Sequence, residues 1–280
     1  MSSESRDPQQ FAPPPGPWEF IVTKEHRRFV EFCDACRRYR YIGLCYGPPG
    51  VGKTLSARQY AHWDLIEPIF PRYLFELPPT ARDLRTVLYT PTVANTPGQI
   101  AREVELACRS LDLAIRDTTR PSTETDEPVP WTDPPECTEL LVVDEADRLK
   151  MAGLEQMRDI YDRRGIGLIL IGMPGIEKRL ARYPQLYSRV GFVHQYRPLS
   201  AEEMRFILEC KWQQLGLELK PEDFTDAEAV ATILRITTGN FRLIHRLFTQ
   251  IERVLQINEM RTVTKEVVEA ARENLVIGIV

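Results

Sequence analysis

The stretch that decides the fold reads Gly47-Pro48-Pro49-Gly50-Val51-Gly52-Lys53-Thr54. It follows the apolar run Tyr41 to Tyr46 and precedes Leu55 to Trp63, a segment whose residues suit a helix. A strand, a glycine-rich loop and a helix start in that order form a cradle for phosphate, because consecutive backbone N–H groups converge on one anion. The stretch therefore predicts a P-loop that binds a nucleotide, against the alternative of a plain turn.

The loop and the helix start have separate predicted parts in binding. The backbone N–H groups and the positive end of the helix contact the β-phosphate. Lys53 is predicted to place its ammonium group against the β- and γ-phosphates, and Thr54 to place its hydroxyl on Mg²⁺. The predicted nucleotide contacts of this region are Gly47, Pro48, Pro49, Gly50, Val51, Gly52, Lys53, Thr54 and Leu55.

A second predicted half of the site follows a buried strand. Leu140 to Val143 are four apolar residues in a row, and Asp144-Glu145-Ala146-Asp147 comes directly after them. A carboxylate at such a strand end is where Mg²⁺ needs an acceptor, so Asp144 is the predicted metal-side ligand. Neighbouring residues on a strand point in opposite directions, which leaves Glu145 as the candidate base for the attacking water. Without the glycine loop, a solvated acidic turn is the simpler interpretation.

Composition and charge narrow the class of protein. The chain has 280 residues, of which 43% are hydrophobic, enough for a large domain and a smaller one. Its apolar runs, such as Leu168 to Ile171, fall far short of the roughly 20 residues that a bilayer requires, and the N-terminus lacks the order of a signal peptide. We therefore expect a soluble, cytoplasmic protein without a membrane partner. The net charge of −4 argues weakly against indiscriminate nucleic-acid binding.

The chain is predicted to contain an α/β core and a helical C-terminal part. Residues 1–18 are polar and proline-rich, which predicts a disordered arm. Alternating strands and helices over 19–198 predict a parallel sheet with helices on both faces, interrupted by a surface insertion at about 117–136. Within it, Thr23 is the predicted cap of the first helix, and Ile100 to Leu113 is a predicted helix. The predicted strands include Leu84 to Val93 and the buried Gly167 to Gly172. Residues 199–280 open with a capping box at Ser200 and contain only helices, which predicts a small lid domain.

The combination of these motifs resembles the AAA+ ATPase family. It comprises the glycine loop, the acidic strand end, the buried strand Leu168 to Gly172, and Thr238-Gly239-Asn240-Phe241-Arg242 in a helical C-terminal domain. More narrowly, Val143 to Leu149 and Arg182 to Phe192 are similar to the DNA-transposition regulators of the MuB, TnsC and TniB group. The resemblance covers roughly Tyr41 to Leu275.

Two arginines gain candidate roles from this resemblance. Arg189 matches the family's arginine finger, which faces the γ-phosphate of a neighbouring subunit, so that activity requires assembly. Arg242 matches the position at which the helical domain reaches back to the γ-phosphate. The alternatives are a surface arginine paired with a carboxylate for Arg189, and an exposed arginine at a helix start for Arg242.

One position departs from the family pattern. The strand Leu168 to Gly172 usually ends in the family with Asn, Thr or Ser, whereas Met173 stands here. A thioether cannot donate a hydrogen bond to the lytic water or to the γ-phosphate. We therefore expect slow hydrolysis, with ATP binding rather than turnover driving assembly.

Contacts with DNA are predicted only on one arginine stripe. Arg102 and Arg109 lie seven residues apart on one predicted helix, and Arg116 continues that face beyond its predicted end. Such a stripe suits a phosphate backbone, but it is more often a solvated face than a binding surface. The sequence contains no helix-turn-helix or zinc-finger pattern, so recognition of a particular base sequence is not expected.

The resemblance implies an ATP-dependent regulator of transposition that oligomerises on duplex DNA as a ring or filament. Its implied cofactors are ATP and Mg²⁺, and its implied partners are double-stranded DNA, a transposase, a target-selection protein and further copies of itself. Two alternatives stay open at this point. One is a signalling or toxin–antitoxin ATPase that binds protein partners without DNA, and the other is a fast motor or helicase loader.

Overall fold

A parallel sheet of five strands organises the first part of the chain in the computed structural model, which describes residues 20–67, 82–119 and 136–275. The strands are β1 (Ile42–Tyr46), β2 (Thr86–Tyr89), β3 (Leu140–Val143), β4 (Gly167–Gly172) and β5 (Val190–Gln195). Their order in the sheet is β2-β3-β4-β1-β5, and each pair of neighbours is parallel. The predicted α/β fold class, with a parallel sheet and helices, is therefore confirmed.

Burial explains why these segments are strands. Every residue of β3 and β4 is buried, as expected for strands covered on both faces. Strand β5, at one edge of the sheet, instead alternates between half-buried and exposed residues, whereas β2 at the other edge is buried throughout. The predicted strand Leu84 to Val93 is too long, since β2 ends at Tyr89 and Pro91 follows two residues later. A proline has no N–H to donate to a strand ladder.

Helices pack on both faces of this sheet. They are α1 (Lys24–Tyr39), α2 (Lys53–Tyr60), α3 (Trp63–Ile66), α4 (Pro97–Thr119), α5 (Met151–Arg164), α6 (Ile176–Leu180) and α7 (Pro184–Tyr187). Thr23 caps α1 by accepting a hydrogen bond from the His26 amide at 3.1 Å, as the sequence predicts. Left-handed backbone at His62, with φ of 48°, separates α2 from α3, so the predicted helix to Trp63 is interrupted.

The surface insertion was predicted to begin at about residue 117, which is wrong for its first three residues. Helix α4 continues to Thr119, so residues 117–119 belong to a helix. The rest of the predicted insertion up to residue 135 lies outside the described residues, as does the predicted arm at residues 1–18. Arg116 accordingly lies on α4 itself and not beyond its end.

Four further helices follow the sheet and form a helical bundle. They are α8 (Ala201–Gln214), α9 (Phe224–Thr237), α10 (Phe241–Ile257) and α11 (Lys265–Glu273). The predicted capping box is present, because the Glu203 amide donates to Ser200 Oγ at 3.2 Å while Glu203 Oε2 accepts from the Ser200 amide at 3.0 Å. The bundle has an apolar core of its own, separate from that of the sheet, around Ile207, Leu247 and Ile251.

The parallel strands bring their carboxyl ends to one edge of the sheet. The loop after β1, the acidic turn after β3 and Met173 after β4 therefore meet there. Among the helices described, none combines the length and the apolar composition that a membrane crossing needs.

Candidate functional site

The glycines of the loop after β1 are required by its backbone. Gly50 and Gly52 have φ of 79° and 110°, in the left-handed region that favours glycine. A Cβ on Gly47 would lie 2.1 Å from the carbonyl oxygen of Tyr196, and one on Gly50 would lie 2.4 Å from Asn240 Oδ1. The loop can thus be this tight only with glycine at these positions.

Lys53 begins α2 and bonds back to the loop that precedes it. Its Nζ donates to the carbonyl oxygens of Gly47 at 2.6 Å and Pro48 at 2.8 Å. Burial lowers the pKa of Lys53, and the nearby cation of Arg242 contributes a smaller lowering. An anion placed beside Lys53 would therefore meet a desolvated ammonium that is already held in position.

Thr54 and Asp144 bring two oxygen donors together across the sheet edge. Thr54 Oγ1 donates to Asp144 Oδ2 at 2.7 Å, and Asp144 Oδ1 accepts from the Glu145 amide at 2.9 Å. The Asp144 carboxylate is buried. A hydroxyl beside a carboxylate is the hard oxygen donor set that Mg²⁺ prefers, and Mg²⁺ usually keeps waters and substrate phosphates as its other ligands. The described residues contain no cluster of three or more His, Cys, Asp or Glu side chains that could hold a metal without them.

Glu145 lies at the mouth of the site in an unusual backbone conformation. Its φ is 50°, which costs a residue other than glycine about 1 kcal/mol or more and is found most often at functional sites. It precedes a 3-10 turn, Ala146–Arg148, and its half-exposed carboxylate forms an ion pair with Arg148. Arg148 Nη1 also donates to the carbonyl oxygen of Pro91 at 2.9 Å. The Glu145 carboxylate is thus tied to the loop after β2.

The strand end of β4 contributes a backbone group rather than a polar side chain. The Met173 amide donates to Asp147 Oδ2 at 2.6 Å, and the Met173 side chain, 39% exposed, lines the cavity. Asp147 also lines the cavity. Its part in fixing β4 to the acidic turn was not predicted, because the two residues are 26 positions apart.

The helical bundle closes the site from the opposite side through the start of α10. Asn240 caps α10 by accepting from the Leu243 amide at 3.2 Å, and its Nδ2 donates to the Pro49 carbonyl oxygen at 3.0 Å. The Arg242 amide donates to the Gly50 carbonyl oxygen at 2.9 Å. The bundle therefore contacts the glycine loop directly through two hydrogen bonds.

These elements enclose a cavity of about 610 Å³. Its lining residues are Pro49, Gly50, Gly52, Lys53, Thr54, Leu55, Asp144, Glu145, Asp147, Arg148, Ile171, Gly172, Met173, Phe241, Arg242 and His245. Most of the sequence-predicted contacts therefore share one space. Gly47 and Pro48 do not line the cavity, but their carbonyl oxygens hold Lys53, whereas Val51 lines a second, adjoining pocket.

A smaller pocket of about 220 Å³ adjoins this cavity. The two share Gly52, Leu55, Phe241 and His245. Its other lining residues include Phe20, Ile21, Val51, Tyr196 and Leu199, which give it a largely apolar wall. This pocket was missed by sequence reasoning, because its walls come from the segment before α1, the loop, the end of β5 and the bundle, which are far apart along the chain.

Arg189 lies away from the cavity, directly before β5. It is not a lining residue of either pocket and forms an ion pair with Asp162 in the last turn of α5. The predicted DNA residues also lie elsewhere, on α4, where Arg102 and Arg109 are exposed and Arg116 is half-buried. The structure therefore separates three groups: the cavity, Arg189, and the arginine stripe.

Comparisons with known proteins agree with this architecture. Residues 36–180 match the family described as AAA domain. A potential ATP-binding protein of Staphylococcus aureus is 49% identical over 264 residues, covering 93% of this chain and 97% of that protein. The Mu-like prophage FluMu DNA transposition protein B of Haemophilus influenzae is 26% identical over 240 residues, which cover 82% of this chain and 71% of that protein. The RuvB Holliday junction branch migration motor of Thermotoga maritima has a similar fold, with a TM-score of 0.58 and 18% sequence identity. The match covers 91% of this chain and 70% of the RuvB chain.

Proposed function

Since the chain belongs to the AAA family of P-loop ATPases, we propose that it is an ATP-dependent regulator of DNA transposition that assembles on duplex DNA and recruits or activates a transposase. The observation that carries the proposal is the position of Arg189, a candidate catalytic cation that lies outside the cavity of its own subunit. An arginine so placed can complete a nucleotide site only in a neighbouring copy. The similarity to the FluMu transposition protein B supports transposition as the process.

The cavity suits a nucleoside triphosphate with its divalent cation. The loop amides and the N-terminus of α2 receive the β-phosphate, while Lys53 and Arg242 bring two cations to the γ-phosphate side. Thr54 and Asp144 are the residues that would hold Mg²⁺, which would neutralise charge on the phosphate oxygens. The apolar pocket beside Leu55 is of a size and character to receive the adenine base.

Hydrolysis in this proposal needs groups from two subunits. Glu145 exchanges its ion pair with Arg148 for a hydrogen bond to a water molecule. It then accepts a proton from this water as the water attacks the γ-phosphate. Arg189 of the next copy neutralises the charge that builds on the transferred phosphoryl group. Because ADP lacks the γ-phosphate that joins the two subunits, hydrolysis weakens the assembly.

The DNA part of the proposal rests on contacts with the phosphate backbone. The exposed Arg102 and Arg109, with Arg116 on the same helix, offer cations at a spacing of seven residues, which suits contacts with phosphate oxygens. A net charge of −4 requires such contacts to be local. A target-selection protein would then be needed to choose the site, since this chain reads no sequence.

Assembly on DNA is the decisive test. We expect rings or filaments, seen by electron microscopy and co-sedimentation, when random-sequence duplex DNA is combined with a non-hydrolysable ATP analogue. ADP should give none, because the γ-phosphate is missing. If the amount of assembly is the same with and without DNA, both in ADP and in the ATP analogue, the DNA role is contradicted. That result would favour a signalling ATPase that acts on protein partners.

A variant with Arg102 and Arg109 changed to glutamine provides the second arm of that test. We expect weaker DNA binding and a smaller dependence of affinity on salt, because fewer counterions are released. Its matched control changes Arg253 and Arg272, two exposed arginines of the helical bundle, to glutamine. Equal losses in both variants would show that the stripe on α4 has no special part in DNA binding.

The thioether of Met173 stands where a polar side chain would contact the lytic water, so we expect slow ATP hydrolysis that one substitution should accelerate. We expect Met173→Asn to increase the steady-state ATPase rate by about threefold to tenfold, the value of one hydrogen bond to the water or the γ-phosphate. Met151→Asn is the control, because Met151 is exposed at the start of α5 and lines neither pocket. An unchanged rate in Met173→Asn, or a wild-type rate as fast as that of a motor ATPase, would refute this explanation.

A further inference from the structure

We propose that Asp162 is the positioning residue of Arg189, holding its guanidinium so that one edge faces the γ-phosphate of a neighbouring subunit. This inference rests on the proposed function, in which Arg189 acts in trans. It assigns a role in ATP hydrolysis to a side chain that contacts no nucleotide in its own subunit, since Asp162 lines neither pocket.

Both carboxylate oxygens of Asp162 accept hydrogen bonds from one side of the Arg189 guanidinium. Arg189 Nε donates to Oδ1 at 2.8 Å, and Arg189 Nη2 donates to Oδ2 at 3.1 Å. Arg189 Nη1 donates to the carbonyl oxygen of Gln185. Two parallel bonds to one carboxylate fix the plane of a guanidinium as well as its position.

The same contacts leave hydrogen-bonding capacity for a phosphate. A guanidinium carries five N–H groups, and the three bonds use one each on Nε, Nη1 and Nη2. Within the described part of the chain, one N–H on each of Nη1 and Nη2 therefore remains for an external acceptor. Arg189 and Asp162 are each about one-third exposed, so this external acceptor can reach the guanidinium. Asp162 thus orients the guanidinium without consuming all of its donors.

The backbone around this pair is also anchored. The Arg189 amide donates to the Leu186 carbonyl oxygen at 3.1 Å, and the Arg189 carbonyl oxygen accepts from the Ile42 amide at 3.1 Å. Ile42 begins β1, the strand that leads into the glycine loop of the same subunit. Arg158 holds the carboxylate in turn, because its Nη1 donates to Asp162 Oδ2 at 2.7 Å.

Preorganisation explains why such a contact helps catalysis. A free arginine side chain samples many rotamers, and a misplacement of a reacting or stabilising group by about 1 Å can cost two orders of magnitude in rate. Asp162 removes this freedom before the subunits meet. The opposite role is masking, in which the carboxylate competes with the γ-phosphate for the guanidinium, and the two roles predict rate changes of opposite sign.

The test compares Asp162→Asn with its matched control Asp159→Asn. Asp159 lies on the same helix, is as exposed as Asp162 and pairs with Arg163 at 2.8 Å. In DNA-bound assemblies we expect Asp162→Asn to lower kcat for ATP by about tenfold with an unchanged KM, and Asp159→Asn to match the unaltered protein. A rise in kcat for Asp162→Asn would establish masking and overturn the proposal.

Mixed assemblies separate a positioning role from a merely structural one. Subunits carrying Glu145→Gln, which are expected to bind ATP and assemble without hydrolysing it, supply only the arginine, and subunits carrying Arg189→Ala supply only the nucleotide site. Placing Asp162→Asn in the arginine-supplying subunit should lower kcat by about tenfold, whereas placing it in the site-supplying subunit should have no effect. Equal losses in both placements would overturn the proposal.

The same mixtures distinguish this proposal from the one on which it rests. If Arg189→Ala alone leaves the turnover unchanged, Arg189 has no role in trans and the proposed mechanism fails. Only the role of Asp162 fails if three results occur together. Arg189→Ala abolishes turnover in uniform assemblies, Glu145→Gln subunits restore it in mixed ones, and Asp162→Asn has no effect. Thermal unfolding and the assembled fraction of each variant show whether folding accounts for any loss.

Discussion

Turnover of ATP should fall by about a hundredfold or more when Glu145 is replaced by glutamine, while ATP binding and assembly on DNA persist. A positioned general base contributes about two to four orders of magnitude in rate, and glutamine has the shape of glutamate without its proton affinity. Glutamine also loses the ion pair with Arg148, which releases the side chain but gives it no basicity. The assemblies of this variant should therefore be long-lived, because hydrolysis no longer removes the γ-phosphate.

Steady-state turnover and the lifetime of assemblies measure this expectation. Glu105→Gln is the matched control, because Glu105 is as exposed as Glu145 and is likewise paired with an arginine, Arg164, but lies on α4 away from the cavity. A Glu145→Gln protein that hydrolyses ATP at an unchanged rate would assign the base to another group.

Replacing Lys53 by alanine should weaken ATP binding by about a hundredfold. Hydrogen bonds to charged groups contribute about 1.5–3 kcal/mol each, and two such bonds to phosphate oxygens amount to at least about two orders of magnitude in affinity. The substitution also removes the bonds from Nζ to the carbonyl oxygens of Gly47 and Pro48, so that the empty loop loses an internal support.

Titration calorimetry with ATP measures this loss, and Lys178→Ala is the control. Lys178 is an exposed lysine on α6 that lines neither pocket. DNA-dependent assembly should disappear in Lys53→Ala at ATP concentrations that support it in the unaltered protein. An unchanged ATP affinity would mean that the phosphates lie elsewhere in the cavity.

Much of the fold follows from local patterns in the sequence. The buried runs of β3 and β4 have the predicted bounds, because four to six apolar residues between polar turns fit a strand covered on both faces. The caps at Thr23 and Ser200 were predicted from single side chains. Errors arose at element ends, as in α4, whose length past Leu113 depends on packing that the local pattern does not record.

The contacts that define the site were harder to predict. Lys53, Thr54 and Asp144 share one space because parallel strands end at one edge, which the motif order implies. The partner of Arg189 is 27 residues distant, and the residue that bonds to Pro49 is 191 residues distant. Such pairs follow from how helices stack on the sheet, and no spacing in the sequence specifies them.

The two hydrogen bonds between the helical bundle and the glycine loop make ATP affinity a property of both parts. Asn240 and Arg242 begin α10, so a rotation of that helix breaks its bonds to Pro49 and Gly50 and alters the phosphate cradle. Thermodynamic linkage makes this coupling reciprocal: a protein that docks on the bundle and rotates α10 changes the affinity for ATP by the same factor as ATP changes the affinity for that protein. A protein bound there would thus cause the release or the retention of the nucleotide without touching it.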